Sequence, residues 1–482
     1  MPSPSSEPAG VGGPRGDILL WLVAVGFFMQ TLDATIVNTA LPAMAESLGE
    51  SPLRMQWVVV AYSLTMAMLI PASGWISDRF GTRRVYLGAI LLFGLGSLAC
   101  ALSPSLPALI AARVLQGLGG ALLLPVGRLA VLRAYPREQF LRAMSFVSVP
   151  GLIGPLLGPT LGGWLVEYAS WHWIFLINLP VAVIGCVATV LHMPSGLGYA
   201  VKRFDLGGYA LLAFGMVAVS LSLDGLTGIG QEQANVLVLL VFGFVSITAY
   251  WLRAARRPDP LFAPGLFLVP SLRIGLLGNL FARIGSGCMP FLIPLLLQVC
   301  MGYAPAQAGM MMLPVALAGM GAKPLVTRLI LRFGYRRVLV GNTLCVGFMM
   351  MTFAWAGPDQ PLWLHLLRLA CFGAVNSMQF TAMNTLTLKD LESDSASSGN
   401  SLLSMVQMLA IGMGVAAAAT VLTGYTAHFT GHGVAQTLRA FHATFLTMGV
   451  VTMASAWIFW QLPQAGLADR ASPARSEPNE GA

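Results

Sequence analysis

The residues of this chain most able to do chemistry are charged side chains inside long apolar stretches. Asp33 lies in the first such stretch, and Arg113, Arg283 and Arg368 lie in later ones. An isolated carboxylate in hydrocarbon is costly, so Asp33 should face a cavity or a cationic partner. Burial favours the protonated form of a carboxylate and a nearby cation favours the ionised form. A carboxylate balanced between these effects can bind and release a proton, which predicts a proton-handling site within a membrane.

Arg113 is the expected partner of Asp33. Each residue lies about seven positions from the same end of its apolar stretch, because the first and fourth stretches run in opposite directions. At about 1.5 Å per residue, both side chains lie roughly 10 Å below one membrane surface. We hypothesise that protonation of Asp33 frees Arg113 and couples a proton to substrate. The alternative is an ion pair with a purely structural role.

The three deep arginines outnumber the single deep acid. If they share one cavity, that cavity is net positive and favours an anion. Alternatively, Arg283 bonds helix carbonyls or Asn279 and never meets substrate. Polar residues within the apolar stretches either line this cavity or bond neighbouring helices. The candidates beside Arg283 and Arg368 are Gln30, Asn38, Gln116, Asn279 and Asn376.

The composition identifies a membrane protein. Of 482 residues, 56% are hydrophobic and 10% are charged, with a mean hydropathy of +0.75, whereas soluble proteins carry about 25% charged residues. The sequence has no P-loop motif and no clustered nucleophile, base and orienting group, which argues against an enzyme. Its six cysteines have no metal-binding spacing. We therefore expect no metal and no cofactor, with a proton gradient as the energy source.

The apolar stretches predict an all-α, multi-pass protein with fourteen spans of about 20 residues. Placing both termini in the cytoplasm puts 21 of the 27 Lys and Arg residues inside, two outside and four within spans, which is a strong orientation signal. The same distribution accounts for the net charge of +8 and argues against nucleic acid. The predicted spans lie near 17–40, 55–76, 85–103, 107–127, 143–166, 173–192, 205–224, 234–252, 271–297, 304–326, 338–356, 361–385, 400–423 and 439–461.

A charged turn between the second and third spans is repeated later in the chain. Its glycine and basic residues reappear 253 residues further on, with Gly81 matching Gly334, which indicates a duplicated half. We expect two six-helix bundles, 17–196 and 265–462, and a two-helix insertion with linkers at 197–264. The ends, 1–16 and 463–482, should be disordered and cytoplasmic. The turn's motif residues are Gly74, Asp78, Arg79, Gly81, Arg83 and Arg84.

The fifth span carries small residues on one face. Gly154, Gly158 and Gly162 are spaced by four, with Pro155 and Pro159 between them. Such a stripe permits close packing of helices. Proline and glycine together also allow a bend.

These motifs together resemble the major facilitator superfamily, in its fourteen-span drug:proton antiporter branch. The resemblance covers nearly the whole chain, and one departure is His172, where the branch has Arg. The matching segments are Leu32–Pro42, Gly74–Arg84, Arg113–Gly117, Gly154–Gly163 and Trp171–Pro180.

The resemblance implies a transporter in the bacterial inner membrane that alternates access between its two bundles. It implies that Asp78 pairs across the halves to close the cytoplasmic side, and that Arg113 acts in proton coupling with Asp33. The expected activity is proton-coupled efflux of small organic compounds. The positive cavity instead suggests export of an anionic metabolite such as citrate or iron-citrate. A receptor or scaffold that has lost transport is a further alternative. Lipid, protons and a small-molecule substrate are the expected partners.

Overall fold

A computed structural model describes residues 14–135, 137–194, 204–224, 231–391, 393–429 and 433–463. Nearly all of the predicted disordered ends lie outside these ranges. The described residues form helices, short helical turns and connecting loops, with no strand among them. Ten helical segments in these ranges are long and apolar enough to cross a membrane.

The helices fall into an N-terminal set, a central pair and a C-terminal set. The N-terminal helices are α1 Pro14–Leu48, α2 Gln56–Leu69, α3 Ser73–Phe80, α4 Thr82–Ala101, α5 Leu106–Ala134, α6 Arg137–Tyr168, α7 Trp173–Leu176 and α8 Asn178–His192. The central pair is α9 Leu206–Asp224 and α10 Gln231–Ala254. The C-terminal helices are α11 Pro270–Ser286, α12 Met289–Leu295, α13 Pro305–Met311, α14 Leu313–Thr352, α15 Leu362–Leu388, α16 Ser393–His428, α17 Val434–Ala454 and α18 Ala456–Trp460.

The repeated turn has the same backbone conformation in both halves. Gly81 separates α3 from α4 with φ +85°, and Gly334 interrupts α14 with φ +79°. Glycine adopts such positive φ values without the steric cost that other residues incur. The sequence repeat with an offset of 253 residues is therefore also a repeat of backbone conformation. We call the end of the molecule that carries these two turns the basic end.

The two halves share one apolar core at the end opposite the basic end. There, buried residues from both halves, such as Leu41 and Phe291, form one apolar cluster. Toward the basic end, the buried residues separate into an N-terminal cluster around Tyr86 and a C-terminal cluster around Leu339. The halves are thus joined at the end opposite the turns.

Close backbone contact between α6 and α13 seals this opposite end. A Cβ added at Gly163 would lie 2.1 Å from the carbonyl oxygen of Pro305. A Cβ added at Gly309 would lie 2.2 Å from the carbonyl oxygen of Pro159. Real Cβ atoms do not approach backbone oxygens this closely, so only glycine permits the two helices to touch here.

Polar contacts also cross between the halves at this end, one of them from the Thr160 hydroxyl to the carbonyl oxygen of Gly309 over 3.2 Å. The Glu167 carboxylate accepts a hydrogen bond of 2.9 Å from the backbone N–H of Ala306. The Gln298 side chain donates to the carbonyl oxygen of Thr39 over 3.0 Å. These bonds fix the register in which the halves meet.

Asp205 links the two helices of the central pair at the start of α9. This carboxylate is 1% exposed and pairs with Arg253 at 3.1 Å and Arg257 at 3.8 Å, both on or just after α10. It also accepts a 3.1 Å bond from the backbone N–H of Gly208, in the first turn of α9. The pair then packs in one apolar cluster with α2 and α16, along the seam between the halves.

Candidate functional site

The structure brings Asp33 and Arg113 together in the N-terminal half. Arg113 Nη1 donates to Asp33 Oδ2 over 2.7 Å, and the two side chains are 1% and 0% exposed. α1 supplies the acid and α5 supplies the base. An ion pair removed from water is retained only when further hydrogen bonds satisfy its remaining polar atoms.

Neutral amides complete the surroundings of the Asp33 carboxylate. Its Oδ1 atom accepts from Gln116 Nε2 over 2.8 Å and from Asn178 Nδ2 over 3.2 Å. Both amides also donate to the Ser97 hydroxyl, over 2.8 Å and 3.1 Å. Three donors therefore stabilise the ionised form of Asp33.

The Arg113 guanidinium is equally well held. Nε donates to the carbonyl oxygen of Val58 over 3.0 Å, and Nη1 donates to Gln116 Oε1 over 2.6 Å. The rings of Tyr62 and Phe175 lie 4.1 Å and 5.8 Å from the guanidinium carbon. Aromatic rings at these distances stabilise a cation without neutralising it.

A cavity of about 190 Å³ lies between the two halves, against this ion pair. Its N-terminal wall includes Asn38, Tyr62 and Arg113. Its C-terminal wall includes Arg283 and Asn376. Groups from both halves thus face one space, as a site that alternates between two sides of a membrane requires.

Arg283 is the unneutralised cation of this cavity. Its Nε donates to Asn279 Oδ1 over 3.2 Å, and its guanidinium carbon lies 4.2 Å from the centre of the Phe380 ring. Nη2 is buried and has no hydrogen-bond partner among the described residues. In that part of the chain, Arg283 has no carboxylate within ion-pair distance. A guanidinium whose buried nitrogen has a free donor can bind an acceptor group of a ligand.

The other predicted cavity residues are placed elsewhere. Arg368 donates to Gln360, in the loop before α15, and does not line the cavity. Gln116 belongs to the ion-pair network. Asn279 accepts a hydrogen bond from Arg283 Nε. Gln30 is buried outside the cavity lining. The expected grouping of three arginines is therefore reduced to Arg113, which Asp33 neutralises, and Arg283.

The charged turn at the basic end forms its ion pair within one half. Asp78 pairs with Arg133 of α5, and Arg133 also donates to Thr82. Arg83 donates to the carbonyl oxygen of Val190 in α8. The resemblance implies a partner for Asp78 across the halves. In this structure Asp78 instead binds a basic residue of its own half.

Three other residues of the turn are exposed. Arg79, Arg84 and Gly74 all face outward, and a Cβ added at Gly74 would meet nothing within 4 Å. In this arrangement no neighbouring atom requires glycine at position 74. The small size of Gly74 would matter only if another surface approached α3.

The glycine stripe of α6 packs against α1. A Cβ at Gly154, Gly158 or Gly162 would lie within 2.6 Å of a threonine hydroxyl oxygen on α1. Pro159 lies at the neighbouring contact with α13, while Pro155 is exposed. The stripe therefore sets the position of the helix that carries Asp33.

Sequence reasoning missed Asn178, Ser97 and Tyr62 as members of the ion-pair network. Asn178 lies in a segment that was noted only for its resemblance to the antiporter branch. Ser97 and Tyr62 are single polar groups in apolar stretches, and their spacing does not indicate the direction in which they point.

The fold and this site define a helical membrane transporter, and comparison with known proteins agrees. The Major Facilitator Superfamily model matches residues 23–415. The chain belongs to the Major Facilitator Superfamily, whose members are transporters rather than enzymes.

Within that family, the chain resembles the MdtD proteins, whose names refer to multidrug resistance. It is 51% identical to MdtD of Serratia proteamaculans over 427 residues, covering 89% of this chain and 88% of that protein. It is 49% identical to MdtD of Escherichia coli O9:H4 over 449 residues, covering 92% and 94%.

Solved structures share the fold at low sequence identity. The human organic anion transporter MFSD10 superposes with a TM-score of 0.61 at 17% identity, covering 93% of this chain and all of that one. The xylose transporter XylE from E. coli, in a partially occluded inward-open conformation, gives 0.62 at 12% identity, covering 94% and 99%. These likenesses concern the fold alone.

Proposed function

We propose that this protein is a proton-coupled exporter of small organic compounds, which exchanges protons for substrate by alternating access. The observation that carries the proposal is the buried ion pair of Asp33 and Arg113, placed against a cavity between the two halves. The MdtD relatives, named for multidrug resistance, support the same activity. The two moving bodies are residues 17–196 and 265–462, with 197–264 as an insertion.

The proposed membrane arrangement has fourteen spans. Ten candidate spans are long and apolar enough by themselves, and one of them, Pro305–Trp355, is divided in two at Gly334. Adding α6, α9 and α15 gives fourteen. The excess of basic residues at the basic end favours a cytoplasmic position for that end and for both termini. The proposed membrane is the bacterial inner membrane.

The present arrangement then corresponds to a transporter closed on the periplasmic side. The Asp33 carboxylate accepts hydrogen bonds from three donors in this state. Protonation removes its charge, which weakens its attraction to Arg113 and leaves the Arg113 guanidinium available to the cavity. Proton uptake and the charge that the cavity presents to substrate are thereby linked through the same two side chains.

The apolar part of the cavity suits lipophilic organic compounds. Phe291, Phe380, Met383 and Met408 contribute to its lining. Methionine and aromatic side chains adapt to ligands of different shape. This lining and the names of the relatives favour multidrug efflux.

Arg283 favours a second candidate, export of an anionic metabolite. Arg113 is neutralised by Asp33, so the net positive charge of the cavity comes from Arg283, whose Nη2 has no partner among the described residues. A carboxylate would satisfy this donor, and a polycarboxylate such as citrate or iron-citrate has the required charge. An exporter of lipophilic cations would instead benefit from acids in this position.

Flux into proteoliposomes under an imposed pH gradient separates the candidates. Labelled citrate, with and without iron, would be compared with tetraphenylphosphonium, using Arg283→Ala and the matched control Arg368→Ala. Citrate flux that Arg283→Ala abolishes and Arg368→Ala retains would establish anion export. Tetraphenylphosphonium flux that both variants retain would establish multidrug export and a structural Arg283. Absence of flux of any tested compound would contradict the proposed function.

A further inference from the structure

One short segment of the chain contacts both partners of the ion pair. Phe175, in α7, lies with its ring 5.8 Å from the Arg113 guanidinium carbon. Asn178, the first residue of α8, donates to Asp33 Oδ1. Ile177, the residue that joins α7 to α8, has helical φ and ψ, so Phe175 and Asn178, three positions apart, lie on one face of a helical segment. The ion pair is therefore held from a third side by residues that belong to neither α1 nor α5.

Asn178 is built into this position. Its side chain is 2% exposed, and Nδ2 donates both to Asp33 Oδ1 over 3.2 Å and to Ser97 Oγ over 3.1 Å. A neutral amide that donates to a carboxylate favours the ionised form without adding a charge. Asn178 therefore supports the charged, Arg113-paired state of Asp33.

The titratable groups that face Asp33 in the described part of the chain are few. They are Arg113 from α5, Tyr62 from α2 and Cys100 from α4, while α8 supplies the amide of Asn178. Gln116 contacts both Asp33 and Arg113, so its replacement would disturb both partners. Asn178 hydrogen-bonds to Asp33 and not to Arg113.

We propose that Asn178 is a positioning residue for proton coupling, which holds ionised Asp33 against Arg113 and sets the pH at which a proton is taken up. The inference rests on the proposed proton-coupled transport. It assigns to the start of α8 a role distinct from that of the ion pair itself. Loss of this one donor makes the ionised carboxylate less favourable, so protonation occurs at a higher pH.

The test is the pH dependence of gradient-driven flux by the full-length protein in proteoliposomes. Asn178→Leu preserves the size of the side chain and removes both donated bonds, and it should raise the pH of half-maximal transport by about one unit. Asn178→Ala leaves room for a water molecule that can donate in its place, so its shift should be smaller and in the same direction. Thr189→Ala is the control, because Thr189 is buried on the same helix and donates only within it, to Gly185.

The outcomes distinguish this inference from the proposed function. A wild-type protein whose flux ignores pH would overturn both. A wild-type protein with a clear pH midpoint, which both Asn178 variants reproduce while remaining folded, would overturn the positioning role alone. If Asn178→Leu does not fold, the midpoint of Asn178→Ala decides the question.

Discussion

Asp33 and Arg113 lie 2.7 Å apart, oxygen to nitrogen, with neither side chain more than 1% exposed. Because neither side chain reaches solvent, water cannot stabilise the charge that remains if one partner is neutralised or removed. The hydrogen bonds from Gln116 and Asn178 to Asp33 offset part of the cost of burying the pair. The same bonds make the pair sensitive to the loss of one member.

Removing Arg113 alone should destabilise the protein severely. Arg113→Leu leaves the Asp33 carboxylate buried without its cation, which costs about 3–5 kcal/mol of unfolding free energy. Thermal unfolding of purified protein in detergent measures the loss. The double variant, Asp33→Asn with Arg113→Leu, should recover much of it, because no unpaired charge remains. Equal stability of the single variant and wild type would contradict a stabilising ion pair between Asp33 and Arg113.

The packing of α6 on α1 should tolerate no side chain at Gly154. A Cβ there would lie 2.2 Å from Thr31 Oγ1 and 2.8 Å from the backbone nitrogen of Leu32, next to Asp33. Gly154→Ala should cost about 1–3 kcal/mol of stability and reduce transport. Gly88→Ala is the control, since a Cβ at Gly88 meets nothing within 4 Å. Equal stability of the two variants would contradict this packing.

Contact between α6 and α13 should keep the end opposite the turns closed. Gly163→Leu would force Pro305 away and separate the halves there. Cys300, which is 5% exposed in the shared core at this end, should then react faster with a membrane-impermeant maleimide added from the periplasmic side. Mass spectrometry of the labelled peptide locates the reaction. Unchanged labelling of Cys300 would contradict the role of this contact.

Asp205 should make the central pair of helices sensitive to acid. Burial raises its pKa, but donation from Gly208, the bond from Arg253 and the charges of Arg253 and Arg257 outweigh burial, so the pKa lies below the ordinary 3.8. A lowered pKa contributes stability that is present above pH 3.8 and is lost as the pH falls below it.

Asp205→Asn should remove this contribution at neutral pH. Because both arginines are more than a third exposed, we expect a loss of only about 1–2 kcal/mol. Unfolding measured at pH 7 and near pH 3 should show a larger difference between variant and wild type at pH 7. A difference independent of pH would contradict an ionised Asp205.

The sequence predicted the features that depend on counting along helices. Residue counts from the span ends gave Asp33 and Arg113 the same depth because a helix has a fixed rise per residue. The repeat located the second glycine turn, since Gly334 must adopt the positive φ of Gly81 for the duplicated half to fold alike.

Features that depend on side-chain direction or on conformation were not predictable in this way. Arg368 points away from the cavity because its guanidinium donates to Gln360, a residue of the loop before α15. The partner of Asp78 depends on which end of the molecule is closed. Asn178 lies in the predicted span 173–192, and the sequence does not show that its side chain points toward Asp33.

The central claim is that Asp33 carries the coupled proton, and proteoliposome flux of Asp33→Asn tests it most directly. Asparagine mimics the neutral form of the residue, so the variant should retain substrate exchange in the absence of a gradient and lose accumulation driven by a pH gradient. Glu46→Gln, an exposed acid on the same helix, should retain both activities. Proton-driven accumulation by Asp33→Asn equal to that of wild type would contradict the account.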